Sequence, residues 1–282
     1  GITNIGNRAF YLCTNLTGVV IPNNVSQLGG EAFSECYRLS SLTLGNGMKS
    51  IGESSFHNCT NLLNAVVPDA TTNIGDSAFS GCASMTDLAI GIGLKNINRF
   101  AFKGCSALKN VSIPNNVTNI GTEAFSYCDS LRNVSIGSGV KMIENYAFFD
   151  CGSLTNASIG GAVSKIGISA FASTALIGVT IPGSVTSIDG MAFADCTYLK
   201  NVVIPDNVTT LGFQAFQRCT GLTNLSIGAG IAVITNMVFE SCSSLKNVTI
   251  PDGIRYIDQG AFSSCSSLTN VSVGTGVTNI GM

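Results

Sequence analysis

Hydrophobic and polar positions along this chain follow a repeat longer than the period of any helix or strand. Phenylalanine returns every 23 residues from Phe10 to Phe262, with one shorter interval of 22 between Phe171 and Phe193. Around each Phe the pattern reads I-G-x-x-A-F-x-x-C-x-x-L-x-N-V-x-I-[PG]-x-x-V-x-x, and the chain holds about twelve copies. A fixed period in this range predicts a solenoid of stacked repeats. We therefore expect one continuous domain over residues 1–282.

Each repeat divides into two extended pieces joined by turns. Residues 110–113 alternate as Asn-Val-Ser-Ile, which predicts a short strand with Val111 and Ile113 inward. A shorter extended piece follows at 117–120, and a compact turn or 3₁₀ segment buries Ala124, Phe125 and Cys128. The corner between the two pieces holds Pro or Gly in every copy, because Pro presets a tight turn and Gly permits positive φ. The pattern predicts two narrow parallel ladders along the solenoid, with turns, short 3₁₀ segments and little α-helix.

The composition argues against two classes of partner. Charged residues make up only 11% of the chain and the net charge is −2, so no broad basic field is expected to attract nucleic acid. No apolar stretch reaches the roughly 18 residues that membrane insertion needs. Lys95, Arg99 and Lys103 form one small basic cluster, which we interpret as a solvated edge. A surface of Asn, Ser, Thr and Gly is typical of an extracellular protein.

The tandem copies of L-x-x-V-x-I-P followed by I-G-x-x-A-F-x-x-C resemble the leucine-rich repeat of the BspA-like, or Treponema-type, class over essentially the whole chain. The resemblance implies a curved horseshoe or arc with a parallel sheet on its concave side. It also implies an adhesin-like binding module on the surface of a host-associated microbe. One departure from ordinary leucine-rich repeats is the Pro or Gly corner in place of a buried Asn after the strand. This departure argues against receptor-type subclasses with long convex helices.

Eleven cysteines occupy one slot of the repeat, three residues after each ladder Phe, and Thr174 fills the twelfth slot. An odd number prevents complete pairing, and equivalent side chains in stacked coils point the same way. We therefore predict a ladder of buried thiols that act as small hydrophobes, with at least nine of the eleven free. No His or second Cys converges on any of them, so no metal site is expected.

Catalytic chemistry is not indicated by any motif. His57 stands two residues before Cys59, but Cys59 belongs to the repeated core slot, so we predict a surface histidine rather than a Cys–His pair. The carboxylates are scattered, and no two are placed for acid–base work. The sequence therefore predicts a protein that is not an enzyme and has no cofactor.

The outward positions of the predicted longer strands are the candidate binding surface. A row of amides and hydroxyls could hydrogen-bond a glycan or an extended peptide, or its members could simply bond one another and water. The candidate residues are Lys109, Asn110, Ser112, Arg132, Asn133, Ser135, Asn156, Ser158, Asn201, Asn224, Ser226, Asn247 and Thr249. The resulting hypothesis is a non-enzymatic, cell-surface or secreted module that binds a protein or glycan on its concave face. The alternative is a structural spacer or filament-forming element, and the residues do not identify the partner.

Two irregularities complete the pattern. In the repeat of Phe171 one residue is missing, Thr174 replaces Cys and Gly178 replaces the usual Asn, so we expect a tighter turn, a perturbed ladder and a change of curvature there. The ends share one phase of the repeat, "GITNIG" at 1–6 and "GVTNIG" at 276–281. This phase suggests an uncapped piece of a longer array, for which head-to-tail self-association is a further expectation.

Overall fold

A computed structural model describes residues 1–281 as twelve stacked coils without any helix in that range. We number the coils 1–12 by their ladder Phe, from Phe10 in coil 1 to Phe262 in coil 12. Each coil contributes a two-residue strand before its ladder Phe and a strand of two to four residues after it, and one more two-residue strand follows coil 12. Both sets pair in parallel with strands of neighbouring coils. The predicted solenoid with two parallel ladders is therefore confirmed.

The longer strands form what we call the long-strand sheet. Its strands are β2 (Gly18–Val20), β4 (Ser41–Thr43), β6 (Asn64–Val67), β8 (Asp87–Ile90), β10 (Asn110–Ile113), β12 (Asn133–Ile136), β14 (Asn156–Ser158), β16 (Gly178–Val179), β18 (Asn201–Val203), β20 (Asn224–Ser226), β22 (Asn247–Ile250) and β24 (Asn270–Val273). Strands β10 to β20 form one six-stranded sheet, and β2–β4, β6–β8 and β22–β24 form separate pairs. Inward and outward residues alternate, as in the exposed–buried–exposed–buried pattern of β10.

The two-residue strands form the short-strand ladder on another side of the coil. They are β1 (Asn4–Ile5), β3 (Gln27–Leu28), β5 (Ser50–Ile51), β7 (Asn73–Ile74), β9 (Asn96–Ile97), β11 (Asn119–Ile120), β13 (Met142–Ile143), β15 (Lys165–Ile166), β17 (Ser187–Ile188), β19 (Thr210–Leu211), β21 (Val233–Ile234), β23 (Tyr256–Ile257) and β25 (Asn279–Ile280). This ladder divides into sheets of four, six and three strands. Both ladders therefore extend from end to end with interruptions, rather than as two unbroken sheets.

The core is a set of side-chain rows that run along the solenoid. The ladder phenylalanines stack face to face in eleven consecutive pairs, with ring centroids 4.9–5.7 Å apart and interplanar angles of 1–18°. Aromatic pairs at such distances stabilise by about 0.5–1.5 kcal/mol beyond the burial of their area. Rows of Leu, Val, Ile, Ala and Cys enclose this stack, and most of their members are fully buried. No single coil could bury these edges alone, so the stacking itself creates the core.

The turn that carries the ladder Phe has a conformation that the sequence did not predict. Two residues per coil lie in the left-handed region, two positions before and two positions after the Phe, as Glu123 (φ 54) and Tyr127 (φ 59) do in coil 6. Twenty-one such residues are not glycine, and each costs about 1–2 kcal/mol. The backbone N–H groups of Glu123, Phe125 and Tyr127 donate to carbonyls of coil 7 at N···O distances of 3.0, 2.8 and 2.9 Å. This third set of inter-coil bonds, the turn ladder, offsets the cost, and no 3₁₀ helix occurs in residues 1–281.

The Pro or Gly corner works by close approach between coils. A Cβ added to Gly137 would lie 2.5 Å from the carbonyl oxygen of Pro114 in the preceding coil, and one on Gly91 would lie 2.4 Å from that of Pro68. Glycine is therefore needed where two backbones touch. The expectation that corner glycines supply positive φ is wrong, because among the described residues none of the six has it.

The residue after a corner Pro ties its coil to the next one. Asp69 Oδ1 accepts the backbone N–H of Ile92 at 3.0 Å, and Asn115 Oδ1 accepts that of Ser138 at 2.9 Å. At Asp252 the backbone N–H and the hydroxyl of Thr275 both donate to the carboxylate, and they lower its pKa. The side chain after the corner Pro therefore links one coil to the next.

Coil 8 lacks one residue between Phe171 and Leu176, just before its long strand, and the turn that other coils have there is absent. Strand β16 pairs with β14 at two positions but with β18 at one position, where Gly178 lies opposite Asn201. The ladder Phe of coil 8 still stacks on both neighbours, at 5.2 and 5.5 Å. The predicted local perturbation of the ladder is confirmed, and the change of curvature stays a prediction.

Candidate functional site: the outward face of the long-strand sheet

The thirteen predicted site residues lie on one surface, which we call the sheet face. It consists of the outward side chains of the long-strand sheet and the residues that flank its strands, and all thirteen predicted residues are exposed. Parallel pairing aligns them in rows, because Asn110 lies opposite Asn133 and Asn133 opposite Asn156. Gly178 interrupts the row, which resumes at Asn201. Asn247 and Thr249 lie on β22, outside the six-stranded sheet.

Part of the amide row is bonded to itself. Asn133 Nδ2 donates to Asn110 Oδ1 at 2.8 Å, and Asn224 Nδ2 donates to Asn201 Oδ1 at 2.6 Å. Each bond joins one coil to the next and orients the amide. The alternative, in which the amides hydrogen-bond one another, thus holds for these pairs. Each amide nevertheless remains exposed and can make further hydrogen bonds as donor and acceptor.

The surface has shallow grooves rather than one deep pocket. A groove of about 890 Å³ lies over Ala89, Ser112 and Ser135. A second, of about 380 Å³, is lined by five of the predicted residues, namely Asn201, Asn224, Ser226, Asn247 and Thr249. Smaller grooves of about 340 and 290 Å³ lie beside Asn156 and Asp87. An extended ligand fits such a surface better than a compact small molecule does.

Exposed apolar side chains on this face were missed by the sequence reasoning. Leu63 and Val66 lie in or just before β6, Ile92 follows β8, and all three are more than half exposed. Val66 and Ala89 occupy the outward row where coils 5–7 carry Ser, and exposed Val203 lies in the same row of coil 9. The signal was available, since an apolar residue at an outward position of a strand breaks the alternation.

Charge on the sheet face is mostly positive. Lys109, Arg132, Lys200 and Lys246 are exposed just before their strands, whereas Asp87 is the one acid within the long strands. Thr86 Oγ1 donates to Asp87 Oδ2 at 2.7 Å. The face therefore differs in charge from the chain as a whole, which has a net charge of −2.

The basic cluster expected at residues 95–103 is not one cluster. Lys95 precedes the short strand β9, whereas Arg99 and Lys103 lie over the ring of Phe100 in the turn, at 5.1 and 5.3 Å. Lys103 also pairs with Glu123 at 2.5 Å. The interpretation as a solvated edge therefore fails for Lys103, which is held by a carboxylate and by aromatic rings.

The thiols are buried as predicted, with Cys13 as the partly exposed exception, and each cysteine is free. They have a role beyond filling space, because the thiol of Cys59 donates to the carbonyl of Phe33 in the preceding coil, with an Sγ···O distance of 3.2 Å. The same bond recurs from coil to coil. Burial raises the pKa of the Cys82 thiol to about 12, so these groups are protonated and unreactive at neutral pH.

His57 is only partly a surface residue. Its side chain is 34% exposed, its Nε2 lies 3.8 Å from Glu35 Oε1, and its Nδ1 is buried without a hydrogen-bond partner. Cys59 donates its thiol elsewhere, so the two side chains do not form a nucleophile–base pair.

Two other kinds of feature are absent from residues 1–281. No group of three or more His, Cys, Asp and Glu side chains is placed to hold a metal ion within that range. Nor does any helix there have the length and apolar character to span a bilayer.

The comparison with family sequences decides the identity of the fold. A family described as a BspA type leucine rich repeat region, six copies long, matches residues 1–98, 72–200 and 191–282. The chain belongs to the BspA-type leucine-rich repeat family. The rows, turns and corners described above are thus the BspA-type repeat as this sequence builds it. No curated protein sequence matches the chain.

Solved structures show the same solenoid. A leucine-rich repeat protein from Bacteroides ovatus is 26% identical with a TM-score of 0.82, over 99% of this chain and 78% of that protein. A leucine rich cell surface protein from Faecalibacterium prausnitzii is 27% identical with a TM-score of 0.51, over 96% of this chain and 83% of that one. The pneumococcal vaccine antigen PcpA, at 19% identity and a TM-score of 0.57 over 100% of this chain and 85% of that one, shares the fold.

Proposed function

We propose that this BspA-type chain is a non-enzymatic interaction module of a cell-surface or secreted protein, and that its sheet face binds a protein or glycan partner. The observation that carries the proposal is the set of exposed amide and hydroxyl rows in register across neighbouring coils. A row in register repeats the same hydrogen-bonding group about every 4.8 Å along the solenoid. Such a surface is suited to a ligand that is itself extended.

The chemistry of the face supports a macromolecular ligand. Its grooves are shallow, and two of them adjoin at Leu88 and Ala89, which line both. Exposed Leu63, Val66 and Ile92 add an apolar area beside the polar rows, and interfaces commonly combine an apolar centre with a polar rim. The name of the Faecalibacterium prausnitzii protein, a cell surface protein, supports the proposed location.

The test begins with two defined probe sets, a glycan array and a phage-displayed peptide library, each exposed to the purified chain. The affinity of any ligand found is then measured for the fourfold variant Asn110→Ala, Asn133→Ala, Asn224→Ala and Asn247→Ala. We expect at least a tenfold loss of affinity. The matched control carries four Asn→Ala changes at exposed positions of the short-strand ladder, Asn4, Asn73, Asn96 and Asn279, and should bind within twofold of the wild type.

Equal binding by the two fourfold variants would contradict the assignment of the sheet face. The alternative role, a structural spacer or filament element, predicts instead that neither probe set contains a ligand whose binding depends on that face.

A further inference from the structure

A second unusual surface lies on the turn edge of coils 5–7, away from the sheet face. We call it the aromatic patch, and it consists of Phe100, Lys103, Tyr127, Tyr146 and Phe149. The Nζ of Lys103 lies 5.3 Å from the ring centre of Phe100 and 5.4 Å from that of Tyr127. The ring of Phe149 packs edge to face against Tyr127 and Tyr146, with centroids 5.6 Å apart in both pairs. The five side chains thus form one connected group across three coils.

The patch is not required by the fold. Its Phe100, Tyr127 and Tyr146 lie in the left-handed positions of the turn, at φ 58, 59 and 58°. Other coils fill the same positions with smaller residues such as Ser77 and Gly81. Only nine aromatic residues of this chain stand outside the Phe stack, and four of them are here. Aromatic side chains are enriched in protein interfaces relative to the rest of the surface.

Equivalent positions of different coils can be compared directly, because every coil repeats the same pattern around its ladder Phe. A residue is located by its coil and by its position relative to the ladder Phe. Phe100 and Tyr146 both stand two positions before that Phe, in coils 5 and 7, while Lys103 and Phe149 both stand one position after it. Consider a second copy that faces the patch with its coils in reverse order. Coil 6 of one copy then lies against coil 6 of the other, and coil 5 of each copy lies against coil 7 of the other, with equivalent positions opposite each other. Phe100 then faces Tyr146 of the other copy, and Lys103 faces Phe149.

We propose that two copies of this chain pair antiparallel through the aromatic patch, about a twofold axis at coil 6. The pairing is isologous, so each contact occurs twice. It places aromatic rings against each other and the ammonium group of Lys103 against an aromatic ring. At the axis Glu123 approaches its own equivalent, but Lys103 neutralises it within each copy at 2.5 Å.

Charges at the rim of the patch are complementary in this arrangement. Arg99 stands three positions before the ladder Phe of coil 5, and Glu144 stands four before that of coil 7. Neither takes part in an ion pair among the described residues, where the pairs involve other groups. Reversal of the coil order brings Arg99 of each copy next to Glu144 of the other, which forms two equivalent ion pairs.

The adjoining coils leave room for the second copy. Beyond the patch, Ser77 and Gly81 of coil 4 would face Ser169 and Ser173 of coil 8, so small residues meet small residues. No like charges meet at these positions. Parallel pairing, in contrast, would set each coil against itself and would lose both the aromatic contacts and the ion pairs.

The size of the patch sets the expected strength. Three coils span roughly 15 Å, so the contact falls below the roughly 1,200 Å² of total buried area that stable complexes need. We expect a weak dimer, with a dissociation constant on the order of 10–100 μM. The sheet faces of both copies stay free, so the dimer would present two binding faces and gain avidity on a repetitive partner.

The first experiment is sedimentation velocity on the purified chain from 1 μM to 1 mM. The wild type should shift from monomer to dimer and stop at two. The variant Phe100→Ser with Phe149→Ser should dissociate at least tenfold more readily, because Ser already occupies both positions in coil 4, as Ser77 and Ser80, and the change should not disturb folding. Tyr198→Ser removes an exposed aromatic residue elsewhere and should leave the dimer unchanged.

Charge reversal tests the antiparallel register. Arg99→Glu and Glu144→Lys should each weaken the dimer about fivefold or more, because each places like charges together twice. The double variant should return to within about twofold of the wild type. A chain that stays monomeric at 1 mM, one that grows beyond dimers independently of the patch, or a double variant that is not rescued would overturn the proposal.

Discussion

Coils 6 and 8 perform the same structural task with different sequences. Coil 6 has the full 23 residues and its Cys128, whereas coil 8 lacks one residue and has Thr174 in the cysteine slot. In both coils the ladder Phe stacks on its two neighbours and the turn donates three backbone N–H groups to the next coil. The two coils differ beyond the ladder Phe. Coil 6 has a turn at 129–130 that coil 8 lacks, and β12 pairs with β10 at four positions while β16 pairs with β18 at one.

The difference shows which layer of the repeat tolerates change. The Phe stack lies inside the coil, where a displaced ring would leave a cavity. The sheet strand has solvent on one face, so a shortened pairing costs only a few hydrogen bonds that water can replace. The pairing of the long strands can therefore vary more readily than the Phe stack can.

The largest effect should come from alkaline pH, which tests the core cysteines all along the solenoid. Burial raises the pKa of Cys82 to about 12 and that of Cys196, beside coil 8, to about 11. An unfolded thiol has a pKa of about 8.5. The free energy of unfolding is therefore not reduced by these thiols below about pH 8.5. As the pH rises from there towards the thiol pKa values of the folded protein, the free energy of unfolding falls by about 1.4 kcal/mol per pH unit for each such thiol.

Urea unfolding followed by circular dichroism at pH 8, 9 and 10 measures this decline. The variant Cys82→Ala should show a shallower pH dependence than the wild type. An identical slope for the two proteins would mean that Cys82 does not titrate on unfolding as described.

Truncation of a stacked ring compares the cores of the two coils directly. Phe125→Ala and Phe171→Ala should each reduce the free energy of unfolding by about 3–5 kcal/mol, because each leaves a cavity in a continuous stack. Tyr198→Ala, at an exposed position, is the control and should change it by less than about 0.5 kcal/mol. A cost for Phe171 below half of that for Phe125 would show that the core is loosened at coil 8.

Glycine substitutions sharpen the contrast between the tight corner and the open strand. A Cβ at Gly137 would lie 2.5 Å from backbone atoms, so Gly137→Ala should destabilise by about 1–3 kcal/mol. Gly178 has open space around its missing Cβ and lies opposite Asn156 and Asn201. Gly178→Asn should therefore stabilise by about 0.4–1 kcal/mol, since it also restricts the unfolded chain. Thermal unfolding midpoints of the two variants should move in opposite directions, and movement in the same direction would refute the contrast.

The smallest effect concerns the one hydroxyl in the cysteine row. Thr174 Oγ1 donates to the carbonyl of Phe171 at 2.9 Å and lies 3.2 Å from Cys196 Sγ. Thr174→Val should cost about 1 kcal/mol through the lost hydrogen bond. Burial is the main cause of the raised pKa of Cys196, and the Thr174 hydroxyl holds it lower. The pH at which Cys196 reacts with a thiol reagent should therefore rise in the variant, and an unchanged pH would contradict this role of Thr174.

The sequence by itself determined the solenoid, the two ladders, the buried rows and the position of the irregular coil. It could do so because each of these follows from periodicity, and a side chain repeated every 23 residues must return to the same side of a coil. The outward placement of Asn110, Ser112 and the other candidate residues followed from the same alternation. The repeat predicts where these side chains lie but not whether they bind a partner, so binding stays a proposal.

Only the tertiary structure decided the features that depend on contact between coils. The left-handed turn residues are mostly not glycine, so composition gave no sign of them, and only the bonds from one coil to the next stabilise them. Corner glycines proved necessary because a Cβ at Gly137 would meet Pro114 of the coil below, a clash that no single repeat contains. The aromatic patch likewise joins residues such as Lys103, Tyr127 and Phe149 that are more than twenty positions apart in sequence. They meet because stacking places successive coils about 4.8 Å apart. The pattern of a single repeat does not contain these contacts, because they form only between neighbouring coils.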